Sequence, residues 1–214
     1  MPAVQGDLRG DGPLSGLLVG DLIGVAVFAA SGASAAIAKR LDLFGVAFVG
    51  FVAALGGGIL RDLVIGAVPP LAFADWRYPV TAVIASIAVF WLHPQLSRLR
   101  RTVLLLDAAG LGLFTVTGTL KALEVNVPPV GACLIGMITA IGGGLARDLL
   151  TGEIPVVLHH DIYAVAALGG AILVTILHGL RLAGPIPTVA AAVLITGVRL
   201  LALYRRWSAP IAVP

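Results

Sequence analysis

The chain has few charged residues, a single cysteine and no recognisable set of catalytic side chains. Charged residues make up 12% of the 214 residues, whereas soluble domains carry roughly a quarter. Cys133 has no second cysteine with which to form an internal disulfide. A Ser-His-Asp set, an HExxH motif and a phosphate-binding loop with its lysine are also lacking. We therefore predict no enzyme, no cofactor and no metal site.

The composition instead indicates a membrane protein. Hydrophobic residues make up 59% of the chain, and its mean hydropathy is +1.04. Apolar runs of about 20 residues recur, which is the length that a helix needs to cross a bilayer. The formal charge of +3 does not point to nucleic acid, because the basic residues cluster at the ends of apolar runs. Residues 1–13 lack the basic region of a cleavable signal peptide, so we expect the first apolar run to remain as a helix.

Seven apolar segments predict an all-α polytopic fold with seven transmembrane helices. No connection is long enough for a soluble domain, so we expect a single membrane domain over residues 1–214. The third segment is short, and residues 71–78 can extend it. The predicted spans are Leu14–Ala38, Leu43–Val68, Pro79–Leu92, Thr102–Ala122, Val130–Thr151, Ile162–Leu180 and Ile186–Leu203.

The basic residues near the span ends predict the orientation of the chain. Basic residues in short loops favour the cytoplasmic side. If all seven segments cross the membrane, most of the basic residues lie on one side. The N-terminus is then outside and the C-terminus cytoplasmic. Arg199 is expected to snorkel to the same interface as Arg205. The cytoplasmic side receives Lys39, Arg40, Arg98, Arg100, Arg101, Arg205 and Arg206, and the other side receives Arg9, Arg77 and Arg181.

The chain contains an internal duplication. The string GGGILRDLVIGAVP, which starts at Gly56, returns 86 positions later as GGGLARDLLTGEIP, which starts at Gly142. Each copy holds three spans, and an odd number of crossings inverts the second copy relative to the first, as in many transport folds. The repeats cover residues 14–95 and 102–181, and a seventh helix covers residues 186–204. Other residues that recur at this shift are Asp21 and Asp107, Gly24 and Gly110, and Phe28 and Phe114.

Three adjacent glycines interrupt the second and the fifth span. Each glycine costs about 1 kcal/mol relative to alanine in a helix, so the triplets predict that helices 2 and 5 are broken. Backbone groups freed in a membrane must face protein or water, and we interpret the breaks as hinges of an ion pathway. Close packing of small residues is the alternative. The six residues are Gly56, Gly57, Gly58, Gly142, Gly143 and Gly144.

An Arg-Asp pair follows each triplet, Arg61-Asp62 in the first copy and Arg147-Asp148 in the second. In an inverted repeat, the two pairs lie on opposite sides of the glycine triplets. At a helical rise of 1.5 Å per residue, their depths in the membrane differ by roughly 12 Å. We therefore expect two polar tiers rather than ion pairs swapped between the copies. These residues are candidate pore charges. The alternative is a structural ion pair that locks the helix ends, and the two roles are compatible.

Other polar side chains inside the spans are candidates for the same pathway. Asp21 and Asp107 lie at equivalent positions, and a carboxylate there attracts cations and resists anions. Hydrogen bonding to a neighbouring helix is the alternative role. Ser31, Thr117 and Thr139 are candidate pore hydroxyls, although such hydroxyls often bond to the carbonyl of the preceding turn.

The duplicated GGGxxRD motif, within three-span units followed by a seventh span, resembles the trimeric intracellular cation (TRIC) channel family. It is most similar to the bacterial and archaeal branch, over residues 21–203. The resemblance implies a homotrimer in the membrane lipids of a prokaryotic cell (inner) membrane. It also implies a pore for monovalent cations within each subunit, enclosed by helices 1, 2, 4 and 5.

Lys121 is a candidate for lipid contact. Eukaryotic members of the family carry a Lys-Glu-Val motif that engages phosphoinositide. The run from Lys121 to Val125 resembles this motif but has two residues inserted after the lysine. The alternative is a lysine that snorkels at the end of span four, with Glu124 nearby.

Two functions are compatible with these features. The first is a channel for monovalent cations, potassium above all and sodium as a second ion, with the glycine triplets as hinge and gate. The second is an alternating-access transporter of a small zwitterion such as glycine, for which Arg61 and Asp62 supply the charges. A scaffold protein leaves the glycine triplets unexplained. The channel is the main hypothesis, and the transporter is the alternative.

Overall fold

The structure is a computed structural model that describes residues 13–92, 99–159, 162–182, 184–205 and 207. Within these residues the regular secondary structure is entirely helical. The helices are α1 (Pro13–Ala38), α2 (Leu43–Val64), α3 (Leu71–Ala74), α4 (Arg77–Leu92), α5 (Leu99–Glu124), α6 (Pro129–Leu150), α7 (Val156–His159), α8 (Ile162–Gly179) and α9 (Pro185–Arg205).

Seven of these helices are long and lie where the spans were predicted. Their lengths run from 16 residues in α4 to 26 residues in α1 and α5. Five of them, α1, α2, α5, α6 and α9, are long and apolar enough to cross a membrane, and α4 and α8 are shorter apolar helices. The chain is an all-α integral membrane protein. Of the stretch 71–78 that was expected to extend the third span, residues 71–74 form the separate short helix α3, and residues 77 and 78 begin α4.

Local sequence sets the ends of α2 and α6. The Asp42 carboxylate caps α2 by accepting a hydrogen bond from the Gly45 backbone N–H at 2.8 Å, and Pro129 opens α6, where its missing N–H is not needed. Both helices end at a glycine in the left-handed region, Gly66 with φ +75° and Gly152 with φ +66°, as is common at helix C-termini. Each Arg-Asp pair consequently lies in the last turn of its helix.

Helices α1 and α5, which are equivalent in the repeat, run antiparallel side by side. Near the start of α1, a Cβ on Gly20 would lie 3.6 Å from Cγ2 of Thr117, near the end of α5. Near the end of α1, the Ser31 hydroxyl donates to the Val103 carbonyl at the start of α5, at 3.5 Å. The two helices therefore point in opposite directions, as an inverted repeat requires.

Ion pairs at the helix ends agree with this arrangement. Lys39, just after α1, pairs with Glu153, just after α6. Lys121, in the last turn of α5, pairs with Asp62, in the last turn of α2, at 2.9 Å between Nζ and Oδ1. The ends of α1 and α6 are thus neighbours, and so are the ends of α5 and α2.

At the centre of the bundle, two repeat-equivalent phenylalanines stack on each other. The ring centroids of Phe28 and Phe114 are 5.1 Å apart. A Cβ on Gly24 would lie 2.4 Å from Cε1 of Phe114, and a Cβ on Gly110 would lie 2.6 Å from Cε2 of Phe28. Exchanging each residue for its repeat equivalent returns the same set of contacts. Such reciprocity is the property of a two-fold interface.

The crossing of α2 and α6 is reciprocal in the same way. A Cβ on Gly57 would lie 2.1 Å from the Thr139 carbonyl oxygen, and a Cβ on Gly143 would lie 2.1 Å from the Ala53 carbonyl oxygen. These distances are far below any contact that a real Cβ makes. The two helices therefore meet backbone to backbone, and the central glycine of each triplet is what permits it.

The prediction that helices 2 and 5 are broken at their glycine triplets is wrong. The corresponding helices, α2 and α6, each continue without interruption through the triplet. In an apolar environment no water replaces a lost backbone hydrogen bond, so the helical bonds are kept. The glycines instead allow close helix packing, which was the alternative reading.

The crossing predicts different effects for two adjacent glycines. We expect Gly57→Ala to destabilise the protein by about 1–3 kcal/mol, since its Cβ must separate the two backbones. Gly56→Ala is the control, because its Cβ would lie 3.9 Å from the Ala146 Cβ, an ordinary contact. The apparent melting temperature of the purified protein in detergent measures both. Equal melting temperatures for the two variants would contradict the close crossing.

Candidate functional site

The first Arg-Asp pair is the centre of a buried network, which we call the Arg61 cluster. It consists of Arg61, Asp62, Asp21, Tyr78 and Lys121. The Arg61 Nε donates to Asp62 Oδ1 at 2.9 Å, and its Nη1 lies 3.7 Å from Asp21 Oδ2. The Tyr78 hydroxyl donates to the same Asp21 oxygen at 3.2 Å. The Lys121 ammonium donates to Asp62 Oδ1 at 2.9 Å.

The second Arg-Asp pair is the centre of an equivalent network, the Arg147 cluster, with Asp148, Asp107 and Ser31. The Arg147 Nε donates to Asp148 Oδ1 at 2.8 Å. Its Nη1 donates to Asp107 Oδ1 at 2.6 Å and to the Ser31 hydroxyl at 2.8 Å. The Arg147 side chain is 1% exposed, so these acceptors take the place of water around its charge.

Arg199 of α9 lies buried beside the Arg147 cluster, and its Nε and Nη2 have no hydrogen-bond partner among the described residues. It is 2% exposed, and its Cζ lies 4.7 Å from the Tyr163 ring centroid, a cation–π contact. The expectation that Arg199 snorkels to the interface is therefore wrong. The contact of Arg199 with the Arg147 cluster is indirect, through Tyr163, whose hydroxyl lies 2.9 Å from a would-be Cβ on Gly144, as Asp107 Oδ1 does at 3.0 Å.

Each cluster contains two carboxylates. Lys121 of α5 adds a second cation to the Arg61 cluster by an ion pair with Asp62, whereas Arg199 of α9 contacts the ring of Tyr163. Arg199 belongs to the helix outside the repeat, and its only signal in the sequence is an arginine inside an apolar span. Tyr78 and Tyr163 were also missed, because a buried tyrosine looks like ordinary core in the sequence.

The aspartate of each pair also holds the chain that follows its helix. Asp62 Oδ2 accepts from the Leu71 backbone N–H at 2.8 Å, and Asp148 Oδ2 accepts from the Val156 backbone N–H at 2.9 Å. Leu71 and Val156 are the first residues of α3 and α7. One carboxylate therefore neutralises its arginine and also satisfies an otherwise unpaired N–H at the start of a short helix.

The ion pairs of the two arginines stay within each repeat. Arg61 pairs with Asp62 and Asp21, and Arg147 pairs with Asp148 and Asp107. Pairing within each repeat agrees with two polar tiers and disagrees with ion pairs swapped between the repeats. It also agrees with the alternative role, which is a structural ion pair at a helix end.

The other candidate residues have different partners. The Thr139 hydroxyl donates to the Ile135 carbonyl of the preceding turn at 2.6 Å, while Ser31 accepts from Arg147. Thr117 Oγ1 is buried with no hydrogen-bond partner among the described residues. The Lys121 ammonium pairs with Asp62, and the Lys121 side chain is 25% exposed. Lipid contact by Lys121 stays a prediction.

A small cavity adjoins the Arg61 cluster. The cavity volume that a water-sized molecule can occupy is about 10 Å³, which is room for about one water. Its wall includes Asp21, Arg61, Asp62 and Tyr78 on the polar side and Phe114 on the apolar side. Asp21 Oδ1 is buried and has no hydrogen-bond partner in the described part of the chain. A free carboxylate oxygen beside a water-sized space can accept a water or a cation.

The two clusters differ in how tightly they are filled. A Cβ on Gly58, beside the Arg61 cluster, would meet only the Arg61 Nη2, at 3.7 Å. A Cβ on the equivalent Gly144 would lie 2.9 Å from the Tyr163 hydroxyl and 3.0 Å from Asp107 Oδ1. The Arg147 cluster is therefore packed closed, whereas the Arg61 cluster keeps open space.

Comparisons with known proteins follow the same duplication. A family model described as glycine transporter matches residues 18–94 and residues 104–179. A UPF0126 membrane protein of Deinococcus radiodurans is 44% identical over 71% of this chain and 71% of its own length. The UPF0126 inner membrane protein YadS of Escherichia coli is 40% identical over 71% of this chain and 74% of its own length.

Solved structures with the same fold are cation channels. A TRIC channel orthologue from Rhodobacter sphaeroides superposes with a TM-score of 0.85 and 34% identity, over 89% of this chain and 98% of that one. Another TRIC cation channel gives a TM-score of 0.82 and 34% identity, over 92% of this chain and 97% of that one. A prokaryotic TRIC channel in 0.5 M KCl gives a TM-score of 0.83 and 29% identity, over 90% of this chain and 98% of that one.

The burial of Arg147 predicts a large effect of its removal. We expect Arg147→Met to destabilise the protein by about 3–5 kcal/mol, because it leaves the buried carboxylates of Asp107 and Asp148 without their ion-pair partner. Arg77→Met is the control, since Arg77 forms its ion pair with Asp75 at 38% exposure, where such pairs contribute little. The readout is the apparent melting temperature in detergent. A similar small change in both variants would show that the Arg147 cluster does not hold the bundle together.

Proposed function

Because this chain belongs to the prokaryotic TRIC channel family, we propose that it is a channel for monovalent cations, chiefly potassium, with sodium as a second ion. It is an integral membrane protein and not an enzyme. The observation that carries the proposal is the cavity beside Asp21, where a buried carboxylate oxygen has no partner among the described residues. Water-sized space next to a free carboxylate favours a cation over an anion.

The proposed architecture is seven transmembrane helices in one membrane domain, with inverted repeats at 14–95 and 102–181 and a seventh helix at 186–204. The reciprocal contacts at Phe28 and Phe114 and the antiparallel course of α1 and α5 support the inversion. The two separate matches of the family model support the duplication.

The proposed pathway runs between α1, α2, α5 and α6, from the Arg61 cluster to the Arg147 cluster. The clusters supply the pore charges, and the glycine crossing supplies the gate. At the crossing the backbones of α2 and α6 touch without interlocking side chains. They can therefore shift relative to each other at a lower cost than interdigitated side chains allow.

The proposed assembly is a homotrimer in a prokaryotic inner membrane, with the N-terminus outside and the C-terminus cytoplasmic. Relatives described as trimeric and as inner membrane proteins support the assembly and the compartment. The orientation depends on loop charges. Arg9, Arg98 and Arg206, which contribute to it, lie outside the described residues.

The second candidate is an alternating-access transporter of glycine. The description of the matching family model favours it, and the Arg61 cluster offers charges of both signs to a zwitterion. The cavity has room for about one water, so a transporter must widen it to admit an amino acid, whereas a channel needs only a wet path.

Planar bilayer recording separates the two functions. We expect discrete openings that reverse at the potassium equilibrium potential under a KCl gradient. We also expect Asp21→Asn to reduce the unitary conductance, because it removes the negative charge at the cavity. Asp42→Asn is the control, since Asp42 lies at an exposed cap and asparagine caps equally well. Silence in the bilayer, together with saturable glycine uptake into vesicles, would overturn the channel and support the transporter.

A further inference from the structure

We propose that the stacked rings of Phe28 and Phe114 form the hydrophobic barrier of the pathway, and that Gly24 and Gly110 hold the rings in the closed position. The inference rests on the proposed transport function and adds the element that separates its two charged ends. A barrier of this kind excludes ions by excluding the water that must accompany them.

The pair lies on the pseudo-two-fold relation between the repeats. The rings are 5.1 Å apart at their centroids with an angle of 28° between their planes. Phe28 is fully buried, and Phe114 is 3% exposed. Two equivalent side chains that meet each other directly must lie at the axis, which is the midpoint of an inverted pathway.

The helical register puts the pair between the two charged clusters. Along α1, Asp21 of the Arg61 cluster lies about 10 Å before Phe28, and Ser31 of the Arg147 cluster lies about 4.5 Å after it, at 1.5 Å per residue. Along the antiparallel α5, Asp107 of the Arg147 cluster precedes Phe114 by the same seven residues. A cation that passes from one cluster to the other therefore meets both rings.

The cavity supports this position. It begins at the carboxylate of Asp21 and is bounded on its apolar side by Val25, Leu55 and Phe114. On the other side of the pair, a Cβ on Gly143 would lie 3.7 Å from Cδ1 of Phe28. The polar space of the Arg61 cluster thus ends at the aromatic pair, and an ion would lose its hydration there without a replacement.

The seating of the rings explains why glycine occupies positions 24 and 110. A Cβ at either position would lie within 2.6 Å of a ring carbon of the opposite phenylalanine. At Gly20, one turn earlier on α1, a Cβ would make an ordinary contact at 3.6 Å. Any side chain at position 24 or 110 must therefore displace a ring, and displacement of a ring opens the barrier.

The first test measures current. The variant in which Phe28 and Phe114 are both replaced by alanine should raise the mean potassium current roughly tenfold, equivalent to a barrier lower by about 1.4 kcal/mol. Phe44→Ala with Phe48→Ala is the matched control, because these rings also stack but are exposed on the outside of the bundle. An unchanged or reduced current in a correctly assembled Phe28/Phe114 variant would overturn the barrier.

The second test needs neither current nor removal of the rings. In a Cys133→Ala background, Val25→Cys and Leu111→Cys place single thiols at equivalent positions on either side of the pair. Silver ion is added to one side of sealed vesicles, and the free thiol is then counted by maleimide labelling after denaturation. With the rings present, we expect each thiol to react with silver from one side only, and from opposite sides.

The outcomes distinguish the barrier from the channel itself. If silver added to one side reaches both thiols while the rings are present, the barrier is overturned, whatever the protein transports. If the thiols are reached from opposite sides but no potassium current is found in the wild type or the alanine variant, the barrier stands and the channel function fails.

Discussion

The whole bundle depends on the neutralisation of two arginines buried among apolar helices. Arg61 and Arg147 are each nearly inaccessible, and a buried cation without partners costs several kcal/mol. Each arginine therefore requires carboxylates from its own α2 or α6 and from the neighbouring α1 or α5. Lys121 of α5 adds a further ion pair to Asp62 at the end of α2. Neutralisation of the buried charges thus ties α1, α2, α5 and α6 into one packed unit.

The same requirement makes the two halves alike without making them identical. The repeats supply equivalent carboxylates, arginines and phenylalanines, so the centre of the molecule is nearly two-fold. The additional cations near the two clusters come from helices that are not equivalent, since Lys121 belongs to α5 and Arg199 to α9. As a result, the Arg147 cluster is filled by Tyr163 and Arg199, while the Arg61 cluster borders a cavity.

Much of the fold was predictable, because apolar length and an 86-residue repeat are properties of the sequence itself. The long helices lie at the predicted spans, and the choice of two tiers over swapped pairs followed from inversion. The predicted break at the glycine triplets was wrong, since local propensity does not reveal that another backbone lies 2.1 Å from a would-be Cβ at Gly57. The predicted snorkelling of Arg199 was wrong and Tyr163 was missed for the same reason, because their surroundings depend on which helices become neighbours in space.

The central claim is that a cation path begins at the Asp21 carboxylate and is interrupted at the aromatic pair. Crystals grown in rubidium in place of potassium test it most directly, because rubidium is visible by its anomalous scattering. The account predicts an anomalous peak in the cavity beside Asp21 Oδ1 and no peak between Phe28 and Phe114. Ordered zwitterion density at Asp21, or no peak there at saturating rubidium, would contradict it.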